Sequence, residues 1–560
     1  MNDNGATAVA ALAEDALRLL LDLNPVAATL LGIRDHDDRL PDYTEAGEQA
    51  ACDRLTALAA RAEALDPAGL APQEGLTRSV VHQGARAMYD EISARTTEYT
   101  ITDSMFAPAV GLLSMLPMIG LSGTAQADAY LVRLRRIPEV LAALADRHRA
   151  GIAGGRAPVQ RLVEATVAHL DRYLADPDGD PLRRPQPPGD AAAFAAERDM
   201  LLSDVVRPAV ARYRDALATE VAPHARTDER PGLCWLPEGE VHYAGLVRVH
   251  TTTDRTPDDL HRTGESLIDE LAHEFAIAGE RLFGTSDVSG VLTRLRTDPA
   301  LRWRDSDELL AAARVAIERA ERAAPAWFGT LPSQRCTVAP VPETEAPGAP
   351  AAYYLQPALD GSRPGTYFAN TYRADQRGRA TYEAVAFHEA VPGHHFQLTR
   401  AQELTDLPMV RRLGGFTAYS EGWGLYAERL ADEMGLYSDE LYRLGMVSED
   451  SMRAARLVVD TGLHAKGWSR QQAVDYLVAN TATPMVEVEA EVDRYISAPG
   501  QALAYMVGRL EIQRIRREAE QALGDRFDIR AFHDTVLGSG ALPLTVLDEV
   551  VRAWVAADRR

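Results

Sequence analysis

The sequence is almost without lysine, since Lys466 is the only one among 560 residues. Mechanisms that use a lysine as a Schiff-base nucleophile or as a phosphate ligand would depend on that single residue. Acidic residues outnumber basic ones by 82 to 59 and give a net charge of −23. Because this charge would repel a phosphate backbone, we expect no nucleic-acid partner.

Cysteines and long apolar runs are scarce as well. Cys52, Cys234 and Cys336 lie too far apart in the sequence for a disulfide framework or a cysteine-based zinc site. No run of about 18 uncharged apolar residues occurs, so no transmembrane helix is predicted. The N-terminal stretch has no basic region and carries acids within its apolar part, unlike a signal peptide. We therefore expect a cytoplasmic protein without a membrane partner.

Helical periodicity dominates the chain and predicts a mostly α fold with a large multi-helix body. A good example is the segment 256–283, in which Thr256 is the expected N-cap and Pro257 the first helical residue. The pattern changes between residues 332 and 373, where short β-branched and aromatic segments alternate with Pro and Gly. This stretch predicts a small sheet or hairpin, and helices are again predicted over 379–560.

These patterns suggest two parts of the chain. We predict a helical N-terminal lobe over residues 1–330, with an internal boundary possible in the Pro-, Gly- and Asp-rich stretch 176–190. The second lobe, residues 331–560, contains the β insertion and then a helix that carries the most informative residues.

That helix contains His388 and Glu389 in the sequence HEAVPGHH, which is similar to the zinc-binding motif HExxH with an interruption. In HExxH two histidines one turn apart bind one zinc ion, and the glutamate polarises the bound water. Here Pro392 stands where the second histidine belongs. On a straight helix His394 would face the wrong way, and His395 would lie about 10 Å further along the axis.

A local break in the helix is therefore required, and the Pro-Gly pair at 392–393 is suited to make one. If this pair bulges out, His394 moves into the place of the second histidine. We predict that His388 and His394 are metal ligands, with His395 as the alternative to His394. Glu389 is then the general base.

A third ligand is expected on a later helix, in the sequence SEGWGLYAE. Glu421 lies between aromatic residues there, as a carboxylate drawn into a partly buried site would. Glu428 lies on the same helical face as Glu421, at i+7, and could orient a ligand or pair with an arginine. A second HE pair, His273-Glu274, has no such companions, and we interpret it as surface.

Four motifs together resemble the bacterial "domain of unknown function 885" family over most of the chain. They are HEAVPGHHFQ, SEGWGLYAE, RLVVDTGLHAKGWS and PGQALAYMVGRLEI. The resemblance implies a gluzincin-type zinc metallohydrolase with His388, His394 and Glu421 as ligands and Glu389 as base. It also implies a helical body whose N-terminal half roofs a deep cleft over the zinc.

An amide hydrolase also needs a donor for the developing oxyanion. Tyr505 follows the turn at 499–501 and is one candidate. Arg456, Asp460 and His464 share one helical face at i, i+4 and i+8, so the aspartate could fix the histidine beside an arginine. The alternative is that these three residues form a buried, salt-bridged part of the core.

We expect a zinc-dependent hydrolase that cleaves a peptide or peptide-like amide bond in a short substrate. One alternative is a zinc amidohydrolase acting on a non-peptide small molecule or biosynthetic intermediate. Another is a non-catalytic, zinc-stabilised binding protein, which would have no need of Glu389. The sequence contains no GxSxG or phosphate-binding loop motif that would favour a different chemistry.

Overall fold

A computed structural model describes residues 3–343, 346 and 350–558, and it confirms the mostly α fold. The first thirteen helices are α1 (Asp3–Leu23), α2 (Pro25–Leu30), α3 (Glu45–Glu63), α4 (Pro72–Ser93), α5 (Pro108–Met115), α6 (Thr124–Ala153), α7 (Gln160–Ala175), α8 (Ala192–Leu201), α9 (Arg207–Ala216), α10 (Gly239–Thr251), α11 (Pro257–Phe283), α12 (Val288–Thr297) and α13 (Ser306–Ala323). The predicted start of α11 is confirmed, because the Thr256 side chain accepts a hydrogen bond from the Asp259 amide.

The predicted β insertion is a three-stranded sheet of short strands: β1 (Thr337–Pro340), β2 (Ala352–Leu355) and β3 (Thr366–Ala369). The strand order is β1-β3-β2, with β1 parallel and β2 antiparallel to the central β3. Positions 344, 345 and 347–349 of the insertion lie outside the described residues. Tyr367 and Ala369 of β3 are fully buried, so the sheet packs one face against the helices that follow.

Helices resume immediately after the sheet. They are α14 (Tyr382–Glu389), α15 (His394–Glu403), α16 (Met409–Leu413), α17 (Thr417–Glu433), α18 (Glu440–Ala465), α19 (Arg470–Asn480), α20 (Met485–Ser497), α21 (Ala504–Leu523), α22 (Ile529–Leu537) and α23 (Leu544–Asp558). Within the described part of the chain, no helix combines the length and apolarity needed to cross a membrane.

The apolar cores do not divide at the predicted boundary near residue 330. The largest core extends from Val80 to Val551 and draws on α10–α13 as well as on α14, α17, α18 and α21. A separate core, from Val26 to Val221, fills the bundle around α6, α7 and α9. Helices α10–α13 therefore share their core with the helices that carry the predicted site, and the two-lobe division stays a prediction.

Two glycines allow α17 and α21 to cross at close range. A Cβ atom placed on Gly422 would lie 2.4 Å from the Cα of Gly508. Because the helix backbones touch here, Glu421 on α17 and Tyr505 on α21 are brought to the same region of the molecule.

We expect Gly508→Ala to destabilise the protein, because its new methyl group would lie 1.9 Å from the Ala418 carbonyl oxygen. Overpacking of this kind costs about 1–3 kcal/mol, so the unfolding temperature should fall. Gly75→Ala is the matched control, since Gly75 is also helical but a methyl group there would meet no neighbouring atom within 4 Å. Alanine should stabilise that helix by up to about 1 kcal/mol. Calorimetric unfolding of both variants checks this, and an unchanged Gly508→Ala transition would contradict the close crossing.

Candidate metal centre

The helix that carries the predicted motif is interrupted at the expected place. Helix α14 ends at Glu389, residues 390–393 leave the helical path, and α15 begins at His394. The Val391–Pro392 peptide is cis. Gly393 packs so tightly that a Cβ atom there would lie 1.8 Å from the His388 carbonyl oxygen, so only glycine fits.

The break brings three of the predicted residues together. His388 Nε2 lies 3.5 Å from Glu421 Oε2, and His394 Nε2 lies 3.3 Å from the same oxygen. Zinc bonds of about 2.0–2.1 Å in a tetrahedron would place ligand atoms roughly 3.3–3.4 Å apart. The separations therefore fit a tetrahedral zinc ion held by two imidazoles and one carboxylate.

Glu389 adjoins this group. One ligand atom from each of His388, Glu389 and His394 can be chosen so that all three lie within 4.8 Å of one another. By this distance Glu389 could itself approach a metal ion held by the two histidines, while Glu421 Oε2 lies 3.5 and 3.3 Å from their Nε2 atoms. Glu421 stays the predicted third donor and Glu389 the predicted base.

His395 points away from this group. Its Nδ1 lies 2.9 Å from the Tyr354 hydroxyl and its Nε2 lies 2.9 Å from the Gln334 carbonyl oxygen. The side chain is buried, and both ring nitrogens already have partners. In this arrangement His394, and not His395, is available to a metal.

Glu428 supports His388 from behind. Its Oε1 lies 2.8 Å from His388 Nδ1, and the residue is fully buried. With the proton on Nδ1, the lone pair of Nε2 faces Glu421, which is the tautomer that a metal ligand needs. Gly424 allows this placement, since a Cβ there would lie 2.7 Å from His388 Nε2.

The charges in the site stabilise one another. Burial alone would lower the pKa of His388, but hydrogen bonds to Glu421 and Glu428 outweigh it and raise the pKa to about 9. Burial opposes ionisation of Glu421, yet its bonds to His388 and His394 hold its pKa well below the usual range. A divalent cation would replace the protons that now neutralise these carboxylates.

Two further polar atoms are buried without a hydrogen-bond partner among the described residues. They are His394 Nδ1 and Glu428 Oε2. The Nδ1 atom of His394 therefore lacks the supporting hydrogen bond that Glu428 gives to His388.

Tyr505 lies next to the site, as its sequence position suggested. Its ring stacks on His388 with centroids 6.3 Å apart and planes at 24°. Burial, with the nearby charge of Glu421, raises the pKa of its hydroxyl, which therefore keeps its proton. The Arg456 guanidinium lies 4.6 Å from the centre of the Tyr505 ring.

His464 is not available for the expected catalytic role. Its Nδ1 accepts a hydrogen bond from the Leu233 amide at 3.1 Å, and its Nε2 lies 3.0 Å from the Tyr495 carbonyl oxygen. Burial lowers its pKa to about 4, so the ring is neutral. Both nitrogens serve to join backbone segments, and the expectation of a catalytic His464 is not supported by its contacts.

The expected pairing of Asp460 with His464 does not form either. Asp460 instead accepts hydrogen bonds from the Tyr243 hydroxyl at 2.6 Å and from the Gly500 amide at 3.0 Å. Gly500 has a φ of +84°, which favours glycine. Asp460 thus anchors the turn that precedes Tyr505, a positioning role that helix spacing alone did not reveal.

Sequence reasoning also missed Arg494 and its partners. Arg494 donates to the Gln501 side-chain oxygen at 2.5 Å and to Glu491 at 2.8 Å. The sequence did contain a signal. Glu491 and Arg494 have the i, i+3 spacing of a helical ion pair and come shortly before the turn at 499–501, so they could be expected to lie near Tyr505.

Comparisons with known proteins place the chain among relatives of the same length. A family model described as "Bacterial protein of unknown function (DUF885)" matches residues 25–551. A crystal structure from Colwellia psychrerythraea, entitled a "putative lipoprotein", is 26% identical, with a TM-score of 0.91 over 98% of this chain and 99% of that one. A "putative lipoprotein of unknown function" from Shewanella oneidensis is 19% identical over 97% and 99% of the two chains, and its TM-score of 0.75 shows a shared fold alone. No curated protein matches.

We predict that His394→Ala abolishes binding of one zinc ion per chain while His395→Ala preserves it. The physical reason is that, of these two adjacent histidines, His394 has its Nε2 at ligand distance from Glu421, whereas both ring nitrogens of His395 have other partners. Native mass spectrometry of zinc-loaded, gel-filtered protein measures the stoichiometry. His395→Ala is the matched control, since it removes a neighbouring histidine, and zinc loss confined to that variant would reverse the assignment.

Glu428→Gln should weaken zinc binding by about 10- to 100-fold, the usual effect of removing a carboxylate that orients a histidine ligand. Competition with a chelator measures the affinity. Glu433→Gln, on the same helix but paired with Arg516 at the surface, is the control and should match the wild type. Equal zinc affinity of wild type and Glu428→Gln would show that the 2.8 Å contact does not support the ligand.

Proposed function

The chain belongs to the family of bacterial proteins of unknown function DUF885, and from that premise we propose that it is a zinc-dependent hydrolase that cleaves a peptide or peptide-like amide bond in short substrates. The observation that carries the proposal is the approach of His388 Nε2 and His394 Nε2 to one oxygen of Glu421, at 3.5 and 3.3 Å. These are the separations that a tetrahedral zinc site requires.

The number of donors favours a catalytic site over a structural one. Structural zinc ions are enclosed by four protein ligands, whereas catalytic ions have three and keep one position open. His388, His394 and Glu421 provide three. A zinc ion bound there would supply a Lewis acid that lowers the pKa of water to about 7.

Glu389 is the proposed general base. It is the last residue of α14, directly after His388, so its carboxylate faces the same space from a different angle. Burial raises its pKa, opposed by the charges of His394 and His388. A raised pKa brings a carboxylate nearer to the pH at which it can accept a proton from water and return it to the leaving amine.

Tyr505 is the proposed donor to the oxyanion. Its hydroxyl keeps its proton because burial raises its pKa. The ring is held between the His388 imidazole and the Arg456 guanidinium, which fixes its orientation before substrate arrives. Preorganised donors of this kind contribute several kcal/mol to transition-state stabilisation, about 2.7–4 kcal/mol in a well-studied case.

The substrate class is proposed from the resemblance and from the position of the N-terminal part. Phe106, in the segment before α5, lies 5.9 Å from the Arg494 guanidinium, so the N-terminal half extends over the helices that follow the site. A covered site suits short peptides or small amides better than folded proteins. Cytoplasmic location and the absence of a nucleic-acid partner stay predictions.

We predict that Glu389→Gln keeps its zinc and its thermal stability but loses turnover by about 10²–10⁴-fold, the usual contribution of a positioned base. Glutamine preserves the size of the side chain and removes only the basic carboxylate. A library of short peptides, followed by mass spectrometry of the products, first identifies a cleaved substrate for the wild type. The rate with that substrate is then compared between the two proteins.

The controls separate the possible roles of Glu389. Zinc loss in Glu389→Gln would make this residue a ligand, and full activity would place the base elsewhere. Glu433→Gln should behave as wild type in both measurements. A zinc-loaded wild type that cleaves neither peptides nor small amides would favour the zinc-stabilised binding protein.

A further inference from the structure

Two arginines, one buried and one partly buried, lie close to Tyr505. Arg456 of α18 and Arg494 of α20, here called the arginine pair, share one carboxylate. Glu491 Oε2 accepts hydrogen bonds from Arg456 Nη2 and from Arg494 Nη2, each at 2.8 Å. The Tyr495 hydroxyl donates to the same oxygen at 2.5 Å.

Among the described residues, Glu491 is the single carboxylate at ion-pair distance from the arginine pair. Two guanidinium groups are neutralised by a single carboxylate, and Arg456 Nη1 is buried without a hydrogen-bond partner among the described residues. Arg456 is only 7% exposed. A buried cation without its counter-charge is costly, so this arrangement favours the arrival of an anion. The excess is local, because the whole chain carries −23.

The neighbouring arginine on α18 shows the contrast. Arg453 is matched by two carboxylates, since it contacts Glu449 closely and lies 4.0 Å from Glu428. The unmatched positive charge therefore belongs to the arginine pair and not to the residues that support the metal ligands.

The arginine pair lies within a few residues of the metal centre. Arg456 is 4.6 Å from the Tyr505 ring centre, which is 6.3 Å from the His388 ring centre. An extended peptide advances about 3.5 Å per residue, so about three residues cover the distance from His388 to Arg456, which shares Glu491 with Arg494. Gln501 connects them, because its side chain holds Arg494 and stands one helical turn before Tyr505.

Arg494 is the more exposed member of the pair. All three of its nitrogen atoms donate to Glu491 or Gln501, which leaves a second N–H bond on Nη1 and another on Nη2 for a further acceptor. Its side chain is 15% exposed, against 9% for Arg456. The ring of Phe106, which is 40% exposed, lies over it at 5.9 Å. A substrate that carries an anionic group next to an apolar group could therefore contact both the Arg494 guanidinium and the Phe106 ring.

We propose that Arg494, supported by Arg456, binds the free carboxylate at the C-terminal end of a short peptide substrate. This inference rests on the proposed function and specifies it: the enzyme removes one to three residues from a free C-terminus. Hydrolysis adds one water across the amide, so that the acyl part becomes a carboxylic acid and the leaving part an amine. The released fragment keeps the carboxylate that Arg494 bound. Arginine is suited to this role because its guanidinium can form two parallel, charge-assisted hydrogen bonds with a carboxylate.

The test uses one library of N-acetylated short peptides made twice, with free C-terminal carboxylates and with C-terminal amides. We expect zinc-loaded wild type to cleave the free acids with a kcat/KM about 10- to 100-fold higher, as loss of a hydrogen bond to a charged group predicts. Arg494→Gln should abolish this preference, so that the free acids are cleaved no faster than the amides. Arg161→Gln is the matched control. Arg161 of α7 also forms an ion pair with α20, but its partner there is Asp493.

Several results would overturn the proposal. Equal cleavage of both libraries by the wild type is one, and an equal fall for both in Arg494→Gln is another, since it would make the arginine a structural residue. If Arg494→Gln does not fold, as judged by its unfolding temperature and zinc content, Arg494→Lys replaces it. The lysine keeps the charge but loses the bidentate geometry, so a preference for free acids as large as that of wild type would contradict the proposal.

Failure of the proposed function gives a different result. If zinc-loaded wild type cleaves neither library, calorimetric titration of the same peptides into zinc-loaded Glu389→Gln measures binding without chemistry. If the free acids bind more tightly than the amides, and this difference disappears in the double variant Glu389→Gln/Arg494→Gln, the carboxylate site is supported even though the proposed hydrolase activity is wrong. Equal binding of acids and amides would remove the carboxylate site as well.

Discussion

Gly393 packs against the carbonyl oxygen of His388 at a distance that excludes any side chain. This contact lets the chain fold back at residues 390–393 and begin α15 at His394. Trp423 holds the folded segment from α17, because its indole nitrogen donates to the Pro392 carbonyl at 2.8 Å. The same helix carries Glu421, so the interaction that fixes the break also brings the third donor to the two histidines.

The other groups of the site depend on how closely α17 can approach its neighbours. Gly424 admits the His388 ring, and Gly422 admits the backbone of α21 at Gly508. A side chain at either position would move Glu421 or Tyr505 away from His388. Close helix contacts through glycine thus replace side-chain packing where the candidate site is assembled, and the surrounding core of large buried residues makes the arrangement rigid.

Charge is distributed in two layers around this centre. Carboxylates face the histidines and suit a divalent cation, whereas Arg456 and Arg494 share a single carboxylate nearby. The Tyr505 ring contacts both groups, through His388 and through Arg456. A short molecule with an amide at one end and a carboxylate at the other would meet complementary groups in both.

The sequence by itself determined the mostly α class, the main elements and the residues that are candidates for a metal site. Helical periodicity predicted the mostly α body, β-branched and aromatic segments predicted the small sheet, and Thr256 predicted the start of α11, because these depend on residues close together in the chain. The interrupted motif pointed to His388 and to His394, with His395 as the alternative, since Pro and Gly at 392–393 required a break, and the later segment SEGWGLYAE pointed to Glu421. The partners of Asp460 and His464 were expected wrongly from helix spacing.

Only the tertiary structure decided which of the neighbouring candidates meet. Spacing along a helix gives the direction of a side chain but not the residue that faces it on another element. It could not show that Tyr243 and Gly500 donate hydrogen bonds to Asp460, or that both ring nitrogens of His464 bond to backbone groups. Likewise, His394 and His395 are adjacent in sequence, and their roles differ because Glu421 faces one while Tyr354 and the Gln334 carbonyl face the other. Distances between residues far apart in the chain are set by how whole helices pack, and that information is absent from local pattern.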